Sequence, residues 1–421
     1  MATENTVSQL SGQFKEVYAN QGIDDAVPRF GMLTKMIKFR EAERQGDSYH
    51  FPVVLSREHG VTFAGGSSAG DAFSLEEAEA SVSKDANLSG TACVGRAKLS
   101  YGAASRATSK GKRAFINATE HVVTNLRETM GFYLELMLLY GNRGVAKIGS
   151  VSGSGSTRTW TISKDTWAPG VWAQFVNGYL DVYDNESLSS KQNSNAVVQV
   201  TAVDVANRQL SVSGNSSDLS SISADAWIVP RGWKSNTFSG AIDILANTGS
   251  LFGIDASTYP LWQTASFDAG SAALTMGKVQ SALTNAVGQG LMDDMEVCVS
   301  PYTWADLNTD HAALRRFQEN TKAQVNIGTQ AITYWGPNGS ARIVNHPMLY
   351  AGRAIGKVPR RWRRVGSSDV TFRLPNHPEG RFFRELQAAA GFELRAWFDQ
   401  AVVCTVPAQQ LYITNITNDS L

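Results

Sequence analysis

SKGKRAFINATEHVVTNLRETMGFYLELMLLY, residues 109–140, decides the fold. Phe115, Ala118, Val122, Leu126, Met130, Tyr133, Met137 and Tyr140 recur every three or four positions, the one-face signature of a 3.6-residue period. The stretch predicts one uninterrupted helix, with Ser109 as N-cap and Gly141 as its stop. At 1.5 Å per residue it is a rod roughly 45 Å long, the width of a whole domain. Its first turn carries Lys110, Lys112 and Arg113, the unfavourable sign for that end of a helix dipole. Either a negative group compensates or the side chains are solvated at small cost.

Upstream, residues 1–47 mix short helical pieces with turns. Asp24-Asp25 leads through Val27-Pro28-Arg29-Phe30 into a segment ending near Phe39. Tyr49, Phe51, Val53 and Leu55 then alternate with His50, Pro52, Val54 and Ser56, a period-two strand, and Pro52 places it at an edge. A return strand is expected at Cys93, Gly95, Ala97, Leu99 and Tyr101, with Arg96 and Lys98 on its other face. Between the two lie the tip Gly65-Gly66-Ser67-Ser68-Ala69-Gly70 and the acidic residues Glu76, Glu77 and Glu79. The segment reads as a long hairpin with little to bury it within its own subunit. Such an arm is usually covered by another copy of the protein, which points to an assembly subunit rather than an enzyme.

Downstream, Ser152-Gly153-Ser154-Gly155-Ser156 reads as a linker. Short strands follow at Thr159–Ile162, Gly178–Tyr183, Val197–Asp204, Gln209–Ser213 and Ala226–Val229, the third and fourth forming a hairpin. They predict a small β-barrel or sandwich inserted at 142–235, because mixed α/β patterning resumes after Trp233. That body holds a helix at Ser271–Val287, a strand at Glu296–Ser300, and a helix opened by Ser300-Pro301. A hairpin follows around Gly336-Pro337-Asn338-Gly339, then strands at Phe392–Phe398, Ala401–Val406 and Leu411–Thr414.

Composition narrows the function. Charged residues make up 18% of the 421, where about 25% is usual. Either much of the surface is hidden in contacts or a Ser/Thr/Asn-rich β-domain dilutes the average. The formal net charge is zero, so no global field steers the chain to nucleic acid or membrane. No apolar run is long enough to span a bilayer, and MATENTVSQL lacks the features of a signal peptide. Cys93, Cys298 and Cys404 are far apart, odd in number and expected to be buried free thiols. No histidine forms HExxH, and His346-Pro347 and His377-Pro378 are turn contexts. There is no GxSxG elbow, no phosphate-loop ending to the glycine run at 149–156, and Asp293-Asp294 point apart in a turn. No catalytic residue, cofactor or metal is expected.

One cluster stands out. Arg360, Arg361, Arg363 and Arg364 flank Trp362, with Lys357 just before and Arg353, Arg373, Arg381 and Arg384 nearby. Three readings are open: ion pairs with an acidic stretch of a neighbouring subunit, such as Glu76–Glu79 or Asp24-Asp25; contact with a DNA backbone; or a solvated surface.

The order of parts resembles the major capsid proteins of tailed double-stranded DNA phages, with the Hong Kong 97-type α+β fold. Also similar are Gly253-Ile254-Asp255-Ala256-Ser257-Thr258-Tyr259-Pro260-Leu261-Trp262, Glu296–Pro301 with Trp304, and Phe392–Leu411. The resemblance implies an N-terminal arm at 1–47, an extended hairpin loop at 48–108 and a spine helix at 109–141. It adds an inserted β-domain at 142–235, and an axial domain with the rest of the peripheral domain at 236–421. It implies a structural protein that assembles with itself into hexamers and pentamers, closing an icosahedral shell around double-stranded DNA. Portal, separate scaffolding and cement proteins are the implied partners, with no membrane. The implied location is the virion, reached from the host cytoplasm. With the hairpin starting near residue 48, no room is expected for a scaffolding segment ahead of the arm. Lys84 and Lys98 lie in the loop, but no acceptor for a covalent cross-link is identified. An encapsulin-like compartment and a tail or adhesin component are the alternatives.

Overall fold

A computed structural model of the chain describes residues 31–42, 48–64, 72–102, 118–193, 197–315, 332–336, 339–373, 383–387 and 389–418. A one-turn helix, Leu33–Met36, leads into β1 (Phe39–Glu41). Next come β2 (Ser48–Val54), β3 (Ser83–Ser89) and β4 (Thr91–Ser100). β2 pairs antiparallel with β3, from Ser48↔Ser89 to Val54↔Ser83. The expected return strand is therefore a different one. Cys93–Leu99 belongs to β4, which pairs along Thr91–Ser100 with a C-terminal strand instead. Alternation identifies a two-faced strand but says nothing about its partner. β3 escaped notice because only Ala86 and Leu88 of its seven residues are buried. The tip at 65–70 lies outside the described residues.

The long helix is described over Ala118–Tyr140; its expected first turns, 109–117 with Phe115, and the side chain of Ala118 lie outside. Val122, Leu126, Met130, Met137 and Tyr140 are buried, as the stripe requires, and Tyr133 packs partly against the core. In the last two turns Leu134, Leu136, Leu138 and Leu139 are buried as well, so the helix end is enclosed on all sides. Such a rod needs close approach. A Cβ on Gly95 of β4 would overlap the Met130 sulfur. Gly141, at φ +56°, ends the helix with its amide on Met137 O at 3.0 Å, and a Cβ there would overlap the backbone of Gly240.

Six strands then close a barrel in the order β10-β5-β6-β9-β8-β7. They are β5 (Ala146–Ser152), β6 (Thr157–Ile162), β7 (Tyr179–Tyr183), β8 (Val198–Asp204), β9 (Gln209–Ser213) and β10 (Trp227–Pro230). Ser152–Ser156 is not a linker but the turn joining β5 to β6, with Gly153 and Gly155 at positive φ. The barrel interior, including Trp160, Leu180 and Val212, is continuous with the core around the long helix.

A small hairpin, β11 (Ser250–Leu251) and β12 (Ile254–Asp255), precedes the last two sheets. Their strands are β13 (Ala265–Ala272), β14 (Met295–Val299), β15 (Ile332–Gly336), β16 (Gly339–Asn345), β17 (Ala354–Lys357), β18 (Trp362–Thr371), β19 (Phe383–Glu385), β20 (Gly391–Cys404) and β21 (Leu411–Ile416). A six-stranded mixed sheet runs β13-β21-β17-β14-β16-β15. With helix Met276–Gly288 it builds a second hydrophobic core. That helix starts five residues later than expected, capped by Thr275, because Ala265–Ala272 is a strand. Ser300 caps helix Pro301–Arg315, its Oγ accepting from Thr303 N–H at 3.2 Å. The hairpin β15–β16 forms, although Pro337 and Asn338 of its turn lie outside the described residues. A five-stranded sheet runs β1-β18-β20-β19, with β4 on the other edge of β20. β20 is one continuous strand where two were expected. The expected α+β class holds.

Candidate assembly interface

The arginine cluster turns inward as much as outward. Lys357 is buried, and its Nζ lies 2.8 Å from Glu296 on the adjoining strand. Trp362 is also buried; its indole N–H donates to Gln410 Oε1 at 2.8 Å, which accepts Val358 N–H as well. It offers no ring face for stacking. Arg364 donates to Ile37 O (2.7 Å), Thr34 O (3.2 Å), Gln400 Oε1 (3.1 Å) and Asp369 Oδ1 (3.0 Å), and lies over the Phe39 ring. Its guanidinium is thus engaged within the chain; moving it out would leave Gln400 Oε1 and the two carbonyls without this donor, whereas Asp369 keeps Val370 N–H and is 43% exposed. Arg360 and Arg361 face Asp293 at 3.5 and 3.6 Å. Repulsion within the cluster is thus answered inside the chain by Glu296, Asp369 and Asp293. Arg360, with 84% of its side chain exposed, remains outward, joined by the partly exposed Arg361 and Arg363.

The strongest polar site was not anticipated. Glu135, fully buried in the long helix, accepts the N–H groups of Met32 (2.9 Å), Leu33 (2.6 Å) and Thr34 (2.9 Å), and the Thr34 hydroxyl at 2.5 Å. It acts as a borrowed N-cap for helix Leu33–Met36, whose own N-cap side chain makes no capping bond. His346 Nε2 lies 3.0 Å from the same carboxylate, and its Nδ1 accepts Met348 N–H at 3.3 Å, so Nε2 carries the donated proton. Burial alone would raise the Glu135 carboxyl; the hydrogen bonds from His346 and from Thr34 outweigh it and hold it below the ordinary carboxylate range. The available signal was one carboxylate inside the apolar run Phe132–Tyr140. Its partners are about a hundred residues upstream and two hundred downstream, and His346 read only as a turn residue.

A second network seats the barrel. Glu186 takes both Nη atoms of Arg353 at 2.6 and 2.7 Å and faces Arg143 at 3.4 Å, while Arg143 Nε reaches Asp243 at 3.1 Å. Tyr140 OH donates to Met348 O, and Tyr350 OH to Gly144 O. Burial opposes ionisation of Glu186, but Arg353 and Arg143 hold its carboxyl below the ordinary range.

Seven of the thirteen exposed large apolar side chains among the described residues fall in one stretch of sequence. Val54, Val61, Phe63, Phe73, Leu75, Val94 and Tyr101 are all exposed, Phe63 to 91%, and all lie within 48–102. Val54 ends the two-stranded hairpin, Val61, Phe63, Phe73 and Leu75 lie in the irregular chain beyond it, and Val94 and Tyr101 lie on or next to β4; exposed apolar side chains grouped in this way mark an interaction site. Burial pushes the thiols up, Cys93 to about 11 and Cys298 and Cys404 to about 12, so all three stay protonated near neutrality. Among the described residues no group of three or more His, Cys, Asp and Glu is placed to hold a metal, and no helix is long and apolar enough to cross a membrane.

No family model and no curated protein sequence matches the chain. Solved structures do. The fold is similar to a chain of the Cyanophage A-1(L) capsid asymmetric unit, at 11% identity and TM-score 0.52, covering 98% of this chain and 99% of that one. It also overlays on the capsid of a native GTA particle (9% identity, 94% of each chain, TM-score 0.48). A third is the SrpI encapsulin of Synechococcus elongatus (9% identity, 99% of this chain and 96% of that, TM-score 0.40). The chain has the fold of a phage capsid protein over nearly its whole length.

Proposed function

We propose that the chain is a structural shell protein, the major capsid protein of a tailed double-stranded DNA phage. It assembles with itself into hexamers and pentamers and closes an icosahedral shell around packaged DNA. The supporting observation is the apolar surface gathered on the 48–102 segment, in a fold shared end to end with a phage capsid chain. Free in solution, that surface costs solvation; covered by a second copy, it drives assembly. The arm (1–47), extended loop (48–108), spine helix (109–141), inserted β-domain (142–235) and axial remainder (236–421) take the roles the resemblance implies, with the barrel turned toward the shell exterior. Portal, scaffolding and cement proteins are the proposed partners. The protein works in the virion after assembly in the host cytoplasm, and catalyses nothing.

The test is to purify the full chain and examine it by sedimentation velocity and negative-stain electron microscopy. Rings of five or six subunits, or closed shells, are expected. A chain that stays monomeric at every concentration and salt overturns the proposal. Shells that enclose a protein cargo and no nucleic acid would assign it to a cellular compartment instead.

A further inference from the structure

The β1 edge of the five-stranded sheet carries cations that the fold leaves unanswered. β1, the outermost strand, runs parallel to β18 in the register Phe39↔Arg364, Arg40↔Val365 and Glu41↔Gly366. Partners on paired strands share a face, and neighbours along a strand alternate between faces. Phe39 and Arg364 lie on one face, the guanidinium over the ring. Arg40 therefore lies on the other. Lys38 and Arg363, one step back along each strand, share that face, and Arg364 N–H meets Lys38 O there at 3.2 Å. Lys35 stands three residues earlier, in helix Leu33–Met36.

Lys35, Lys38 and Arg40 are exposed and Arg363 is partly exposed. None of the four side chains forms a hydrogen bond or ion pair with a described residue. The stretches 31–42 and 362–371 hold two acids, Glu41 and Asp369. Asp369 is taken by Arg364 at 3.0 Å, and Asp399 on the adjoining β20 is bonded by Ser367 Oγ at 2.8 Å. Glu41, opposite Gly366, belongs to the alternate face of β1. No large apolar side chain is exposed in either stretch. A protein interface needs an apolar centre, whereas a phosphate backbone needs only spaced cations. Same-face residues repeat every ~6.7 Å along a strand and neighbouring strands lie ~4.8 Å apart. Lys38, Arg40 and Arg363 are thus close enough together to meet consecutive phosphates.

We propose that Lys35, Lys38, Arg40 and Arg363 form a contact for the phosphate backbone of double-stranded DNA, independent of base sequence. The inference rests on the shell reading and names the residues through which a subunit meets the enclosed DNA. Such a contact is weak in one subunit and gains its effect by repetition over the shell. It acts by counterion release, so log affinity falls with log salt by about 0.9 per phosphate neutralised.

The test follows the anisotropy of a labelled duplex of about 30 base pairs titrated with the full-length chain across a salt series, with electron microscopy of the same preparations. In Lys35→Ala/Lys38→Ala/Arg40→Ala/Arg363→Ala the slope of log affinity on log salt should shrink by about 3–4. An unchanged denaturation midpoint shows that this variant is folded. Arg231→Ala/Arg342→Ala, which removes two exposed cations elsewhere, should leave the slope as it is. Shells that form normally while the duplex goes unbound, or is bound with equal slopes by wild type and the fourfold variant, overturn this inference and leave the shell reading standing. The cations then only shield the open edge of β1 from other strands. Shells lost in the fourfold variant with duplex binding intact would give the edge to a neighbouring copy and also overturn it. A chain that binds the duplex with the expected slopes but never self-associates upholds the contact and overturns the shell reading instead.

Discussion

Replacing Glu135 with Gln should undock the segment Met32–Ile37 while leaving most of the molecule intact. Five donors converge on this carboxylate: three backbone N–H groups, the Thr34 hydroxyl and His346 Nε2. Glutamine keeps one oxygen and turns an NH2 toward some of those donors, so at least one buried N–H loses its acceptor. That orphan costs about 1–3 kcal/mol, and the remaining bonds fall from about 1.5–3 kcal/mol to about 1 kcal/mol each with the charge gone. A net loss of about 3–5 kcal/mol follows, the range for breaking a buried charged pair. At 1.4 kcal/mol per factor of ten, the local opening constant rises roughly 100- to 3000-fold. The Met36 and Ile37 amides, bonded to Met32 O and Leu33 O, report it by hydrogen exchange. His346→Asn, which leaves the arm donors satisfied, should change the same amides less than about tenfold. Unchanged protection in Glu135→Gln would refute the clasp. Acid supplies an independent arm of the test. The Glu135 carboxyl is held below its ordinary value, so its contribution is full above the unfolded-state pKa near ~4.3 and is lost as pH falls through the lower folded value. Wild-type protection should therefore step down below about pH 4, and Glu135→Gln should lack that step.

Gly141→Ala places a Cβ in the Gly240 backbone at φ +56° and should cost roughly 3–5 kcal/mol, read as lost soluble yield and a lowered melting temperature. Arg364→Ala takes the donor from Gln400 and from the Ile37 and Thr34 carbonyls, while the 43%-exposed Asp369 keeps Val370 N–H; it should destabilise the folded chain by about 2–3 kcal/mol, whereas exposed Arg360→Ala should stay within about 0.5 kcal/mol; equal denaturation midpoints would contradict this. Glu186→Gln breaks the bidentate bond to Arg353. Because that pair is about a fifth exposed, a loss of about 1–3 kcal/mol is expected, seen as earlier proteolysis of 142–235 with the rest unaffected.

Whatever depends on local period or on a short turn could be read from the chain; which strands distant in sequence meet could not. The long helix follows from its stripe, and the β8–β9 hairpin from two short runs around a turn. Ser152–Ser156 has one composition for a linker and for a tight turn, and only the pairing of β5 with β6 separates them. Thr34, Glu135 and His346 carry no shared motif, because three distant segments bring them together. The arginines show the limit most clearly. Adjacent in sequence, Arg363 and Arg364 are split by the pleat of β18: one stays at the surface, the other turns in to hold Thr34 and Ile37. The same alternation acts in reverse on Arg96, Lys98, Arg384 and Arg395. Arg96 and Lys98 come from the first quarter of the sequence and Arg384 and Arg395 from its last tenth, yet three paired strands place them on one face. Charge density along a chain thus overstates the patch at 360–364, where the fold answers most of the charge from within.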